Sequence, residues 1–287
     1  MQSVLEETNF ILKKYNIKAN KNLGQNFLIN QNVIDEIVNG ANIDKNDLVI
    51  EIGPGLGTLT KHLLEKAGKV ICIELDERMV RILNDRFSLY DNFEIINQDV
   101  LKVDLNEVIK KEKKTCKIVA NLPYYITTPI IMKLLENKLN IESITVMIQK
   151  EVAERLIANP GDKVAGAITY SVYYYCESEK ILEVPNSSFI PEPEVTSEVI
   201  KMNLRKEPAV KVNDSKKMFS IIKAAFMQRR KTLLNSLTNG QIFSNKQKAI
   251  EIFEKLNINQ NARAEELTLE KFAEITESIL EEEAEWK

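Results

Sequence analysis

Four short apolar runs, LVIEI (Leu48–Ile52), VICIE (Val70–Glu74), FEII (Phe93–Ile96) and KIVA (Lys117–Ala120), recur along the first half of the chain, separated by segments of helical period. Runs that stay apolar without alternating with polar residues predict strands buried on both faces. The pattern therefore implies a parallel sheet covered by helices, the α/β class. A fifth run, SITVMIQ (Ser143–Gln149), leads into KEVAERLIA, where Val152, Leu156 and Ile157 form a helix face. KILEVP and EVTSEVIKMN flank the proline-rich NSSFIPEPE, which predicts two late strands joined by a stiff connection at the antiparallel edge of the sheet.

Beyond RKEPAVKVND the periodicity is helical to the end. SKKMFSIIKAAFMQRRKTLLNSL reads as one helix, capped at Asp214 and Ser215 and stopped at Asn239 and Gly240. NKQKAIEIFEKL and TLEKFAEITESILEEEAE follow. The boundary falls near Lys206, giving an α/β domain over 1–206 and a small helical domain over 207–287.

Composition narrows the chemistry. With 287 residues, 44% of them apolar, the chain can build one large core and a smaller one. No apolar run approaches the roughly 18 residues of a membrane span, and the first ten residues do not resemble a leader, so a cytoplasmic protein is expected. Cys72, Cys116 and Cys176 are far apart and show no C-x-x-C spacing, so they read as core residues. His62 is the sole histidine, which removes most imidazole catalysis and most His-ligated metals; no metal site is expected. The net charge of −3 argues against nucleic acid until it is divided: Ala264–Lys287 carries nine Glu against two Lys, so residues 1–263 carry +4.

Two stretches carry chemistry. EIGPGLGTLT follows the first strand and opens a helix, so Gly53, Gly55 and Gly57 let the backbone approach a ligand. Thr58 stands where the third glycine of a dinucleotide fingerprint would fall, which weakens the phosphate reading and leaves S-adenosylmethionine as the alternative. Glu74, ending the second strand, is placed to accept from ribose hydroxyls, and Asp99, after the third, from an adenine amino group. The second stretch, VANLPYYITTP (Val119–Pro129), sets an amide, a proline and two phenols at the end of the fourth strand.

NLGQNFLIN, EIGPGLGTLT, ELD, QDV, NLPYYITTP, FIPEPEVTSEVI and AFMQRRKTLLNSL occur in the order seen in the KsgA family of rRNA adenine N6,N6-dimethyltransferases, which the chain resembles from about Asn22 to Leu237 and more loosely beyond. The resemblance implies a Rossmann-like, seven-stranded methyltransferase domain and a helical C-terminal domain. It implies methyl transfer from S-adenosylmethionine to two adjacent adenosines in the 3′-terminal hairpin of 16S rRNA, within the immature 30S subunit, by a monomer. Carried over by motif, the cofactor residues are Asn26, Leu28, Gly53, Gly55, Glu74, Asp99 and Asn121.

The resemblance also gives NLPY a task. The Asn121 side-chain oxygen and the Leu122 carbonyl would accept the two N6 hydrogens, Pro123 would aim them, and Tyr124 would stack on the adenine with Phe189 as the opposite wall. Tyr125 is expected to pack under the loop. Arg229, Arg230 and Lys231 would contact RNA phosphates. Three rivals compete with this reading. An Erm-type enzyme acting on 23S rRNA shares the N-terminal motifs. A non-catalytic assembly factor is opposed by the intact NLPY and EIGPGLG, and an NAD-linked oxidoreductase by the glycine spacing.

Overall fold

The apolar runs become the strands of one seven-stranded sheet. They are β1 (Asp47–Ile52), β2 (Lys69–Glu74), β3 (Phe93–Asn97), β4 (Thr115–Asn121), β5 (Ile141–Gln149), β6 (Cys176–Val184) and β7 (Ser197–Leu204), arranged β3-β2-β1-β4-β5-β7-β6. The computed structural model describes residues 3–20, 23–137, 139–228, 230–243 and 245–285. β1 to β5 are mutually parallel, and β7 runs antiparallel to β5 with Ser197 opposite Gln149. All six residues of β1 are buried, as a central strand with helices on both faces requires, whereas β3 at the edge is only half-buried. Strand order reverses between β1 and β4, and that switch opens a crevice at the carboxyl ends of the strands.

The glycine loop shows why this crevice needs small residues. Gly57 precedes helix Thr58–Lys66 with φ 79°, and a methyl group there would lie 2.5 Å from Phe87 Cε2 and 2.7 Å from Leu83 Cδ2, both buried. Gly57→Ala is therefore expected to destabilise the protein by about 1–3 kcal/mol through overpacking, added to the left-handed backbone, as read by denaturant unfolding.

The chain divides into two compact units, Met1–Ala153 with Ser178–Leu204, and Glu154–Glu177 with Arg205–Lys287. Unlike the contiguous boundary read near Lys206, this division assigns helix Ala167–Tyr175 to the helical unit. Tyr170 accounts for the assignment: fully buried, it donates to the carbonyls of Ala264 (3.2 Å) and Leu267 (2.6 Å) and meets Phe272 edge-on at 5.1 Å. Its burial within this core pushes the phenol well up from its ordinary range.

The single helix expected over 215–239 is in fact two, Ser215–Phe226 and Leu233–Asn239. Thr232 caps the second, its hydroxyl accepting from the Asn235 N–H at 3.4 Å, and Met227, Gln228 and Arg230 between the helices lie in turns. The acidic end is not a free tail either. Glu281, Glu282 and Glu283 pair with Lys255, Lys248 and Lys217 of the same unit. These pairs are solvated and each worth well under about 1 kcal/mol, so their effect is to neutralise surface charge rather than to hold the helix.

Candidate active site

The carboxyl ends of β1, β2 and β4, with the segment after β3 and the loop before residue 27, enclose one pocket. It is lined by Gln25, Asn26, Gly53, Gly55, Glu74, Asp99 and Asn121 through Tyr125, with apolar walls from Ile52, Ile73, Leu75, Val100 and Ile130. Strand geometry brings these distant residues together, because each sits where its strand stops and a loop turns outward.

Asn121 is the last residue of β4, paired with Met147, and the ladder runs one step further through Leu122 N–H to the Met147 carbonyl at 3.1 Å. The Asn121 amide nitrogen donates to the Asn26 carbonyl at 3.3 Å, which turns its oxygen the other way. Pro123 (φ −58°, ψ 133°) then ends the strand, and its carbonyl is tied down by the Ile126 N–H at 3.2 Å and the Thr127 hydroxyl at 3.1 Å. A single 3-10 turn, Tyr124–Ile126, follows and leads into helix Thr127–Glu136. The Tyr124 hydroxyl shares a 2.7 Å hydrogen bond with Ser197 on β7, which fixes the tilt of its half-buried ring, and burial raises its pKa.

On the opposite side Glu74 ends β2. Its carboxylate accepts from the Gly55 N–H at 3.2 Å and the Asp76 N–H at 2.8 Å, and burial raises its pKa above the ordinary value. Gly53 has φ 67°, and a methyl group there would meet no atom within 4 Å, so the glycine faces open pocket space. Asp99 braces its own turn, accepting from Leu101 N–H at 2.9 Å. Gln25 donates to Asp76 at 3.0 Å and so ties the loop before residue 27 to the end of β2.

A carboxylate at the end of the second strand, a second acidic group after the next, and an amide-proline-aromatic turn at the end of the fourth thus line one pocket. The family profile of ribosomal RNA adenine dimethylases matches residues 16–281. The chain belongs to the ribosomal RNA adenine dimethylase family. Ribosomal RNA small subunit methyltransferase A of Alkaliphilus metalliredigens is 50% identical over 275 residues, covering 95% of this chain and 96% of that protein. A dimethyladenosine transferase of Plasmodium falciparum is 28% identical with a TM-score of 0.76, covering 90% of this chain and 98% of that one. The 23S rRNA methyltransferase ErmE, 24% identical with a TM-score of 0.68 over 88% of this chain and 99% of its own, shares the fold.

Several expected site residues lie elsewhere in the structure. Phe189 does not wall the pocket: it is 1% exposed, paired with Leu28 in a two-residue antiparallel ladder, and packed in the core beside the sheet. Leu28 is buried in the same cluster and its side chain contributes no wall. Both are core for one reason: their side chains share one buried apolar cluster with Ile34, Val119 and Val199. Tyr125 departs in the opposite sense, lining the pocket as an exposed residue rather than packing under the loop. Arg230 and Lys231 are exposed on the turn of the helical unit, and Arg229 lies outside the described residues. The apolar walls and Gln25 escaped the sequence reading because nothing in their spacing separates them from ordinary core or loop. Among the described residues no cluster of three or more His, Cys, Asp or Glu is placed to hold a metal, and Cys72, Cys116 and Cys176 are free and buried.

Beneath the glycine loop Glu51 is 2% exposed, accepting from the Thr60 hydroxyl at 2.6 Å and the Cys72 thiol at 3.5 Å. Burial pushes its pKa from 4.5 up to about 7, with nearby Glu74 adding to the rise. The native state thus holds this proton more tightly than the unfolded chain. The resulting stability is fully present below pH 4.5 and is lost as pH climbs through about 7. Glu51→Gln, which keeps the oxygen facing Thr60, is expected to remove a pH slope of at most roughly 3 kcal/mol. Comparing urea midpoints of the two proteins at pH 5 and pH 8 checks this.

Proposed function

We propose that the protein transfers methyl groups from S-adenosylmethionine to N6 of two adjacent adenosines near the 3′ end of 16S rRNA during small-subunit assembly. The observation that carries the reading is the single pocket in which Glu74 and Asp99 face the Asn121–Tyr124 turn. The 50% identical relative named ribosomal RNA small subunit methyltransferase A supports small-subunit rRNA as the substrate.

The residues present fit the cofactor. Glu74 offers a carboxylate to ribose hydroxyls, Asp99 an acceptor to the adenine amine, Ile73, Leu75 and Val100 an apolar slot for a flat base, and Gly53 the open space that a bulkier chain requires. When bound, S-adenosylmethionine supplies an electrophilic methyl group.

The chain's own residues then act on the target adenine. Its N6 lone pair is delocalised into the ring, which makes the amine a poor nucleophile. The Asn121 oxygen, aimed by the bond of its amide to Asn26, accepts one N6 hydrogen, and the Leu122 carbonyl accepts the other. Two fixed acceptors favour a pyramidal nitrogen whose lone pair points outward, and they cost no reorganisation as charge develops. Tyr124, its hydroxyl anchored to Ser197, offers its ring for stacking, worth roughly 1–3 kcal/mol. A base held so deeply has left its own stack, so the substrate is a loop or flipped nucleotide. The methylated, cationic adenine sheds its proton to water, so no general base is required; His62 sits on the helix after the glycine loop and is not part of the lining. Arg230 and Lys231, exposed on their turn, are assigned to RNA phosphates.

Labelled S-adenosylmethionine supplied with 30S particles and with 50S precursors, both lacking adenine methylation, tests the reading. Label is expected on two adjacent adenosines of 16S rRNA. Label confined to 23S rRNA overturns the substrate assignment in favour of Erm-type activity.

A further inference from the structure

We propose that Tyr125 is a second base-binding platform, a stacking surface at the pocket mouth for the adenosine next to the one being methylated. The inference rests on the function proposed above and adds a subsite to it.

Two consecutive tyrosines occupy one 3-10 turn, Tyr124–Ile126. With three residues per turn, neighbouring side chains diverge by about 120°. Tyr124 accordingly turns inward to Ser197, and Tyr125 turns outward while still lining the pocket. The residue is 60% exposed, although burying an aromatic of this size is worth about twice the energy of a single hydrogen bond. One edge of the ring, Cδ1 and Cε1, is turned toward Gly24: a methyl group added at that glycine would lie 3.5 and 3.6 Å from those atoms and 3.5 Å from Pro123 Cβ. The glycine leaves room beside that edge, and the exposed remainder of the side chain offers an aromatic face.

Position selects the occupant. Two of the exposed large hydrophobic side chains line this pocket, Leu75 and Tyr125. Leu75 directly follows Glu74 and belongs to the cofactor end. Tyr125 directly follows Tyr124 and belongs to the end that receives the substrate base. With one adenosine drawn into the pocket, its neighbour is a single phosphodiester away and has lost a stacking partner. An exposed phenol ring at the mouth replaces that partner, and stacking of this kind is worth roughly 1–3 kcal/mol per base.

The test uses the full-length protein, unmethylated 30S particles and S-adenosylmethionine. Tyr125→Leu keeps an apolar side chain beside Gly24 but removes the aromatic face; it is expected to raise KM for the particle about 5- to 150-fold. Tyr125→Phe keeps the ring and should restore KM to within about twofold. Cofactor affinity by calorimetry should not change in either, and the Leu variant should accumulate particles modified at only one of the two adenosines. A Leu variant with wild-type KM overturns the platform, as does a parallel loss of cofactor affinity, which would make Tyr125 part of the cofactor site. If the wild-type protein leaves 16S rRNA unmethylated, the function proposed above fails and the platform with it; if it methylates normally and Tyr125→Leu does the same, only the platform fails.

Discussion

Asn121→Ala should lower kcat by about two to three orders of magnitude while the fold and RNA affinity survive. The substitution removes the side-chain acceptor aimed at N6, and loss of one preorganised group facing developing charge costs a factor of about 100 to 1000. Asn121 also ties β4 to the loop before residue 27 through Asn26, so some loss of cofactor affinity is expected beside the kinetic effect. Asn121→Asp separates the two functions. It keeps an oxygen at the site but replaces the donor facing the Asn26 carbonyl with an acceptor, so its orienting bond is lost. Single-turnover rates with saturating 30S particles measure the chemical step directly, and a rate for the Ala variant within threefold of wild type would sink the acceptor role.

The parts of this site that were legible in the sequence share a physical property: their position follows from local chain pattern. Buried apolar runs announce strands, strands end where polar or glycine residues begin, and ligands in an α/β sheet gather at those ends. Gly53, Glu74, Asp99 and Asn121–Tyr124 can all be placed by that rule, and the structure brings them into one pocket. Phe189 could not be placed so, because its surroundings depend on pairing with Leu28, 161 positions earlier in the chain. In the sequence it is an aromatic in a stiff loop; in the fold it is core. Tyr125 failed for a finer reason, since only the 3-10 geometry of three consecutive residues decides that one tyrosine enters and the next leaves. The break between Phe226 and Leu233 was hidden because the helical period of the apolar positions continues across it, while the Thr232 cap restarts the helix. The assignment of Ala167–Tyr175 to the helical unit was equally invisible, for a helix cannot announce which of two cores its tyrosines will fill.

Glu74→Ala is expected to weaken S-adenosylmethionine binding by about two orders of magnitude with little effect on RNA affinity. Two hydrogen bonds from ribose hydroxyls to one carboxylate are worth roughly 3 kcal/mol together, and that figure sets the factor. The carboxylate already accepts from the Gly55 and Asp76 N–H groups, so its removal also frees the glycine loop and the start of helix Glu77–Phe87. Glu74→Gln tells these contributions apart, since it retains one acceptor oxygen without the charge. Burial raises the Glu74 pKa, so the group takes up a proton at a higher pH than a solvated glutamate. Cofactor affinity of the wild-type protein should therefore fall as pH drops through that raised value, whereas Glu74→Gln should be weak and flat across the same range. Calorimetric titration over pH 5 to 8 distinguishes the profiles. Parallel profiles for the two proteins would assign the pH dependence to another group, and an affinity for the Ala variant within threefold of wild type would remove Glu74 from the cofactor site.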